Sequence, residues 1–82
     1  MPRALQLLEQ VRAEYIQVIG AEHRTTLATS LNLANAYHSA GRLTDAARLL
    51  EDTAWLCEQE LPDSDSLTQA TREALAAMTG TS

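Results

Sequence analysis

Apolar residues recur along this chain at helical spacing, without sustained alternation. Ala4, Leu8, Val11, Tyr15 and Ile19 share one side of a helix. That stripe predicts a first helix from Pro2 to Ile19, with Pro2 acceptable in its first turn and Gly20 as its stop. A second helix is predicted from about Thr25 to Ala40, with Thr25 or Thr26 as N-cap and Gly41 turning left-handed after it. A third starts after Thr44, which can cap the amides that follow, and ends before Pro62. Its buried stripe is Leu43, Ala46, Leu50, Thr53, Ala54 and Cys57. The fourth, about Ser66 to Met78, follows "DSDS", whose residues suit an N-cap and the positive end of a helix dipole. Gly80 should end it, with Thr81 and Ser82 frayed.

The pattern also repeats. Sliding the chain by 42 positions superposes Ala4 on Ala46, Leu7 on Leu49, Leu8 on Leu50, Glu9 on Glu51 and Gln17 on Gln59. The same shift superposes Thr26 on Thr68, Ala28 on Ala70, Thr29 on Thr71, Leu33 on Leu75 and Ala34 on Ala76. "ALQLLEQ" and "AARLLED" are one helix written twice. The chain is thus a helical-hairpin repeat cut out of phase: a second helix, a full pair, then a first helix.

Composition narrows the picture further. Of 82 residues, 45% are hydrophobic but only 4% aromatic, with no Phe; Ala and Leu dominate while Val and Ile are few. That balance favours helices over strands. The net charge is −5, there is no Lys, and the six Arg residues are scattered, so neither a nucleic-acid surface nor an anionic membrane is an expected partner. No apolar run reaches membrane-span length and the N-terminus lacks a signal-peptide pattern, which predicts a soluble, cytoplasmic chain. One cysteine, Cys57, leaves no internal disulfide and no Cys-rich metal site, and on the apolar stripe it reads as packing. His23 and His38 are far apart in the pattern, with no ligand at metal spacing. No catalytic triad order, phosphate-cradling Gly loop or calcium-hand spacing is present, so no catalytic residue, cofactor or metal is expected.

The stretch "LNLANAYHSAGRLTDAARLLE", residues 31 to 51, resembles a tetratricopeptide repeat, with Leu33, Ala34, Tyr37, Gly41, Ala46 and Leu50 at positions that family packs. The 42-residue spacing and the link "GAEHRTTL" resemble the long variant found in kinesin light chains. Similar units lie C-terminal to the nucleotide-binding module of many bacterial signalling ATPases and regulators. That variant usually shows His-Pro in the link, where Arg24 follows His23 here. The resemblance implies an all-α fold of antiparallel helical hairpins stacked as a short right-handed superhelix of about four helices. It makes residues 1–82 one domain with helices at about 2–19, 25–40, 44–61 and 66–78, and residues 25–61 as the complete repeat between two half repeats. The link "LPDSDSL" looks aberrant and Thr79 stands where Tyr37 stands, both of which suggest a terminal, capping-like fourth helix.

The resemblance further implies a non-enzymatic module that binds a protein or peptide on the concave face of its first helices. On this chain that face is Ala28, Leu31, Asn32, Asn35, His38 and Ser39, extended by Glu73 and Ala77. Asn32, Asn35 and Ser39 fall at i, i+3 and i+7, one helical face, where carboxamides can serve an extended peptide backbone. Asn32 has the alternative of satisfying a loop or neighbouring helix. The Lys and Arg pair that clamps a C-terminal carboxylate in chaperone-binding members is missing. Trp55 lies off the buried stripe with Leu49 and Leu56 on a nearby flank, a possible interface, unless its ring folds down as a partial lid. Hairpins left with apolar end faces offer a second reading, a self-assembling unit forming a homodimer or domain-swapped array.

Overall fold

The computed structural model describes residues 2–79, and they form four α-helices with no strand among them: α1 Pro2–Ile19, α2 Arg24–Ser39, α3 Leu43–Glu60 and α4 Ser66–Thr79. The expected stop at Gly80 and the frayed Thr81 and Ser82 lie outside the described residues. Consecutive helices pack in series, α1 on α2, α2 on α3 and α3 on α4, as antiparallel hairpins. The result is a flat body, with Cα extents of 35 × 33 × 16 Å.

Short-range chemistry accounts for the turns. Gly20 takes φ 96° and its N–H bonds the Ile16 carbonyl at 3.1 Å, closing α1 in a left-handed cap. Gly41 takes φ 83°; its N–H bonds the His38 carbonyl at 3.1 Å while Arg42 N–H reaches the Tyr37 carbonyl at 2.9 Å. That bond pair is the Schellman motif, which satisfies carbonyls the helix end would otherwise orphan. At the end of α3 the extended Leu61 precedes Pro62, whose ring disfavours a helical neighbour before it.

Two helix starts differ in detail from the pattern's prediction. The cap of α2 is His23, not Thr25 or Thr26: its Nδ1 accepts the Thr25 N–H at 3.1 Å, and Thr26 is buried one turn inside. Helix α3 begins at Leu43, so Thr44 lies within its first turn and caps nothing. Its N-cap, Arg42, makes no side-chain cap bond and instead pairs with Asp45 at 2.9 Å and stacks 4.6 Å over the Tyr37 ring. The link before α4 is less aberrant than its letters suggest. Asp65 N–H bonds the Pro62 carbonyl just as His23 N–H bonds that of Gly20, 42 residues earlier.

The core lies where α2 meets α3 and α4. Leu27, Leu33, Ala34, Ala46, Leu50, Ala54, Cys57 and Leu67 are buried, with Ala34, Ala46, Leu50 and Cys57 fully so. Leu27, Cys57 and Leu67 form a cluster joining the three helices. Burial pushes the Cys57 thiol above its ordinary range, which keeps it protonated and inert. One expected burial fails. Leu43, the first residue of α3, is 57% exposed. In α1 the buried residue is Leu5, whereas Ala4 and Ile19 are exposed and Leu8, Val11 and Tyr15 only half-buried. The face of α1 that meets α2 is rotated from the apolar stripe and carries Leu5 and Arg12. Arg12 Nε donates to Ser30 Oγ at 2.6 Å.

Candidate interaction surface

Two surfaces of different chemistry emerge. The first runs along α2 opposite its buried face of Thr26, Leu27, Ser30, Leu33 and Ala34. Asn32, Asn35, His38 and Ser39 are exposed there, and Ala28 is half-buried. Neither carboxamide has a hydrogen-bond partner among the described residues, so both retain their donors and acceptors for another molecule. Leu31 behaves differently from its polar neighbours. Half-buried, it packs with Ala28, Leu56 and Leu61 against the Leu27–Cys57–Leu67 cluster and seals the seam between helices. Only part of it faces outward.

Helix α4 begins beside α2. Its start is tied to that of α2 by Arg24, which donates to Asp65 at 2.9 and 3.3 Å and to Ser66 Oγ at 3.4 Å. Arg24 holds the Asp65 carboxyl below the ordinary carboxylate range, helped by the Leu67 N–H that Asp65 accepts at 2.8 Å. One repeat on from Leu31 and Asn35 stand Glu73 and Ala77, both exposed. The edge of α4 beyond them is polar. Gln69 and Arg72 are exposed where α2 places the buried Leu27 and Ser30, and Arg72 pairs with Asp63 at 2.9 Å and Glu58 at 3.2 Å.

The second surface lies where α1 and α3 adjoin. Arg12, Asp52, Trp55 and Leu56 line a groove of about 310 Å³. Trp55 is 62% exposed, so its ring does not fold down as a lid. Leu56 and Leu49 are half-buried, and Leu56 is held against the core cluster. That leaves Trp55 as the large apolar group of α3 presented on this side. The proximity of Arg12 to Trp55 has no signal in the sequence, since nothing local couples residues 43 positions apart.

Among the described residues no three His, Cys, Asp or Glu side chains gather to hold a metal ion. No helix among them is long and apolar enough to cross a membrane. What both surfaces offer is shape, hydrogen bonding and apolar area.

Comparison with known proteins bears on this arrangement. The profile of the tetratricopeptide repeat matches residues 1–59. The chain is also 34% identical over 73 residues to Protein KINESIN LIGHT CHAIN-RELATED 3 of Arabidopsis thaliana. That alignment takes in 89% of this chain but 11% of the plant protein, so the chain spans a small part of that relative's length. No solved structure matches.

Proposed function

The chain belongs to the tetratricopeptide repeat family, a fold of protein–protein interaction modules, and on that premise we propose that it binds an extended peptide or protein segment along α2 and α4. The observation that carries this reading is the pair Asn32 and Asn35, exposed and without partners one turn apart on α2. A carboxamide both donates and accepts, so two of them along one face can follow the alternating N–H and C=O groups of an extended backbone. Ala28, Leu31, His38 and Ser39 flank them on what would be the concave side of the array, with Glu73 and Ala77 on the next helix. Small Ala28 and Ala77 let a backbone approach, while Glu73 favours a segment with a basic side chain near it.

In this proposal residues 1–82 act as one unit, residues 25–61 as its complete repeat of the long 42-residue type, and α4 as a capping helix. The polar outer edge of α4 supports that last role, since Gln69 and the ion-paired Arg72 suit water better than another helix. The module carries no chemistry of its own and serves a larger signalling or regulatory protein in the cytoplasm.

The test is selection of peptides from a displayed random library against the full chain, followed by affinity measurement on selected sequences. Asn35→Ala and Asn32→Ala are expected to weaken binding by roughly tenfold each, the loss of one to two hydrogen bonds at about 1 kcal/mol apiece. Affinity unchanged in both variants, and in Leu31→Ala and Glu73→Ala as well, would overturn the reading.

A further inference from the structure

The 42-residue repeat allows each residue of α1 to be compared with its counterpart in α3. Ala46, Leu50, Thr53 and Cys57 are buried, covered by the helices packed on α3. Their counterparts Ala4, Leu8, Val11 and Tyr15 are exposed or half-buried, because within the described residues α1 packs mainly on α2 and meets α3 only along the groove at Arg12. Beyond them the apolar surface continues through Leu7 at 62% exposure and Val18 at 79%. Ala4, Leu7, Val11, Glu14 and Val18 follow alternating spacings of three and four residues, the seam of a helix that packs lengthwise on another. At its start the seam opens into a hollow of about 210 Å³ lined by Ala4, Leu5, Ala36, Ser39 and Ala40.

Charge indicates what covers this flank. The chain as a whole carries −5, yet α1 is neutral, with Arg3 and Arg12 against Glu9 and Glu14. It is therefore a face on which a second copy can approach without repulsion. On the helical wheel Arg3 borders the seam on the same side as Leu7, and Glu14 is the polar member of the seam, one heptad on from Leu7. When two such helices run antiparallel with Leu7 of each against Val11 of the other, Arg3 of each comes within about one residue's rise of Glu14 of the other, close enough for their long side chains to pair. The opposite end of the molecule cannot serve as well. Stacking α1 on the outer edge of another copy's α4 would strip water from Arg72 and its partners Glu58 and Asp63, at a desolvation cost that apolar contact does not return.

We propose that the chain forms a two-fold symmetric homodimer through α1, with the helices antiparallel, a centre of Leu7 and Val11 from both copies, and Arg3–Glu14 pairs at each side. The interface is isologous and closes on itself, so association stops at two rather than propagating into an array. It leaves the centre of the peptide surface free, because Asn32 and Asn35 are on the exposed face of α2 and take no part in the seam; Ser39 alone lies at the margin of both.

Light scattering and sedimentation equilibrium of the full chain over a dilution series test this directly, with circular dichroism to check that each variant stays helical. The native chain is expected to pass from dimer to monomer on dilution. Leu7→Arg should be monomeric throughout, and since Leu7 is exposed in the single chain, its helicity should be unchanged. Arg3→Glu and Glu14→Arg should each weaken the dimer on the order of tenfold by placing like charges together, and the double variant should recover the native constant. A native chain that is monomeric up to millimolar concentration overturns the proposal. So does a dimer indifferent to Leu7→Arg, and charge variants whose effects accumulate rather than cancel overturn the antiparallel pairing. Affinity for library-selected peptides should be the same in Leu7→Arg as in the native chain, which separates failure of the dimer from failure of the peptide surface.

Discussion

His23 and Asp65 stand 42 residues apart and cap the repeat-equivalent helices α2 and α4 with the same geometry. His23 Nδ1 accepts the N–H of Thr25 at 3.1 Å, and Asp65 Oδ1 accepts that of Leu67 at 2.8 Å; each acceptor serves the amide two residues ahead. Backbone bonds around them also correspond, Leu27 N–H to the His23 carbonyl and Gln69 N–H to that of Asp65. The repeat is preserved as a hydrogen-bond pattern although the side chains supplying it differ. An imidazole and a carboxylate are interchangeable here because an N-cap needs only one acceptor atom near the first free amides. His23→Ala should therefore lower stability by about 0.5–1 kcal/mol in chemical denaturation, and His23→Asp should restore it or better, since a carboxylate also interacts with the helix dipole. Equal loss in the two variants would show that the cap bond contributes nothing.

Asp65 should make the fold sensitive to acid. Its carboxyl is depressed first by the Arg24 guanidinium and then by the Leu67 amide. A group whose folded value lies below its unfolded value stabilises the fold above the unfolded value, and that contribution disappears as pH falls through the folded one. The loss should thus set in below about pH 4. Melting temperature followed from pH 6 to pH 2 (~20 mM salt, to limit screening) should fall more steeply in the native chain than in Asp65→Asn. Parallel curves would refute the assignment.

Two buried hydroxyls are a source of instability. Thr53 and Thr71 bond the carbonyls of Leu49 and Thr68, at 2.7 and 2.8 Å, but Thr26 Oγ1 and Thr68 Oγ1 are buried with no partner. They too are repeat-equivalent. Valine keeps the branched shape and removes the stranded polar atom. Thr26→Val or Thr68→Val should each add about 1 kcal/mol, or roughly 4–8 °C in melting temperature for a domain this small. A drop in either variant would mean that the hydroxyl is in fact satisfied, by water.

Gly41 is required for its backbone rather than its lack of bulk. A Cβ there would meet nothing within 4 Å, yet φ is 83°. Gly41→Ala should cost about 1–2 kcal/mol. Chemical synthesis with d-alanine at position 41 should cost nothing, because the mirror residue favours positive φ; an equal penalty from both would point to crowding instead.

Much of the fold is legible in single stretches of chain. Gly20, Gly41 and Pro62 end helices through constraints on their own or adjacent dihedrals, so the four helices can be placed without any knowledge of what they touch. The cap at His23 is harder to foresee, since imidazole is an uncommon N-cap and Thr25 and Thr26 beside it are conventional ones. Thr44 misleads for a related reason. The Schellman turn at Gly41 lets α3 begin at Leu43, which leaves a good capping residue inside the helix.

Which face of each helix is buried depends on neighbours, and there periodicity reaches its limit. The stripe Ala4, Leu8, Val11, Tyr15, Ile19 is apolar and helical, yet α1 packs on α2 through Leu5 and Arg12. Amphipathicity records every helix that a face is made to meet, whereas burial records only those present. The exposed polar face of α2 follows from spacing alone. The Arg24–Asp65 tie between α2 and α4, the Arg12–Trp55 groove and the division of Leu31 between seam and surface do not. Local dihedral preference and hydrogen bonding act within a few residues and are written in the chain itself. Contacts between residues some 40 positions apart exist only once the hairpins have stacked.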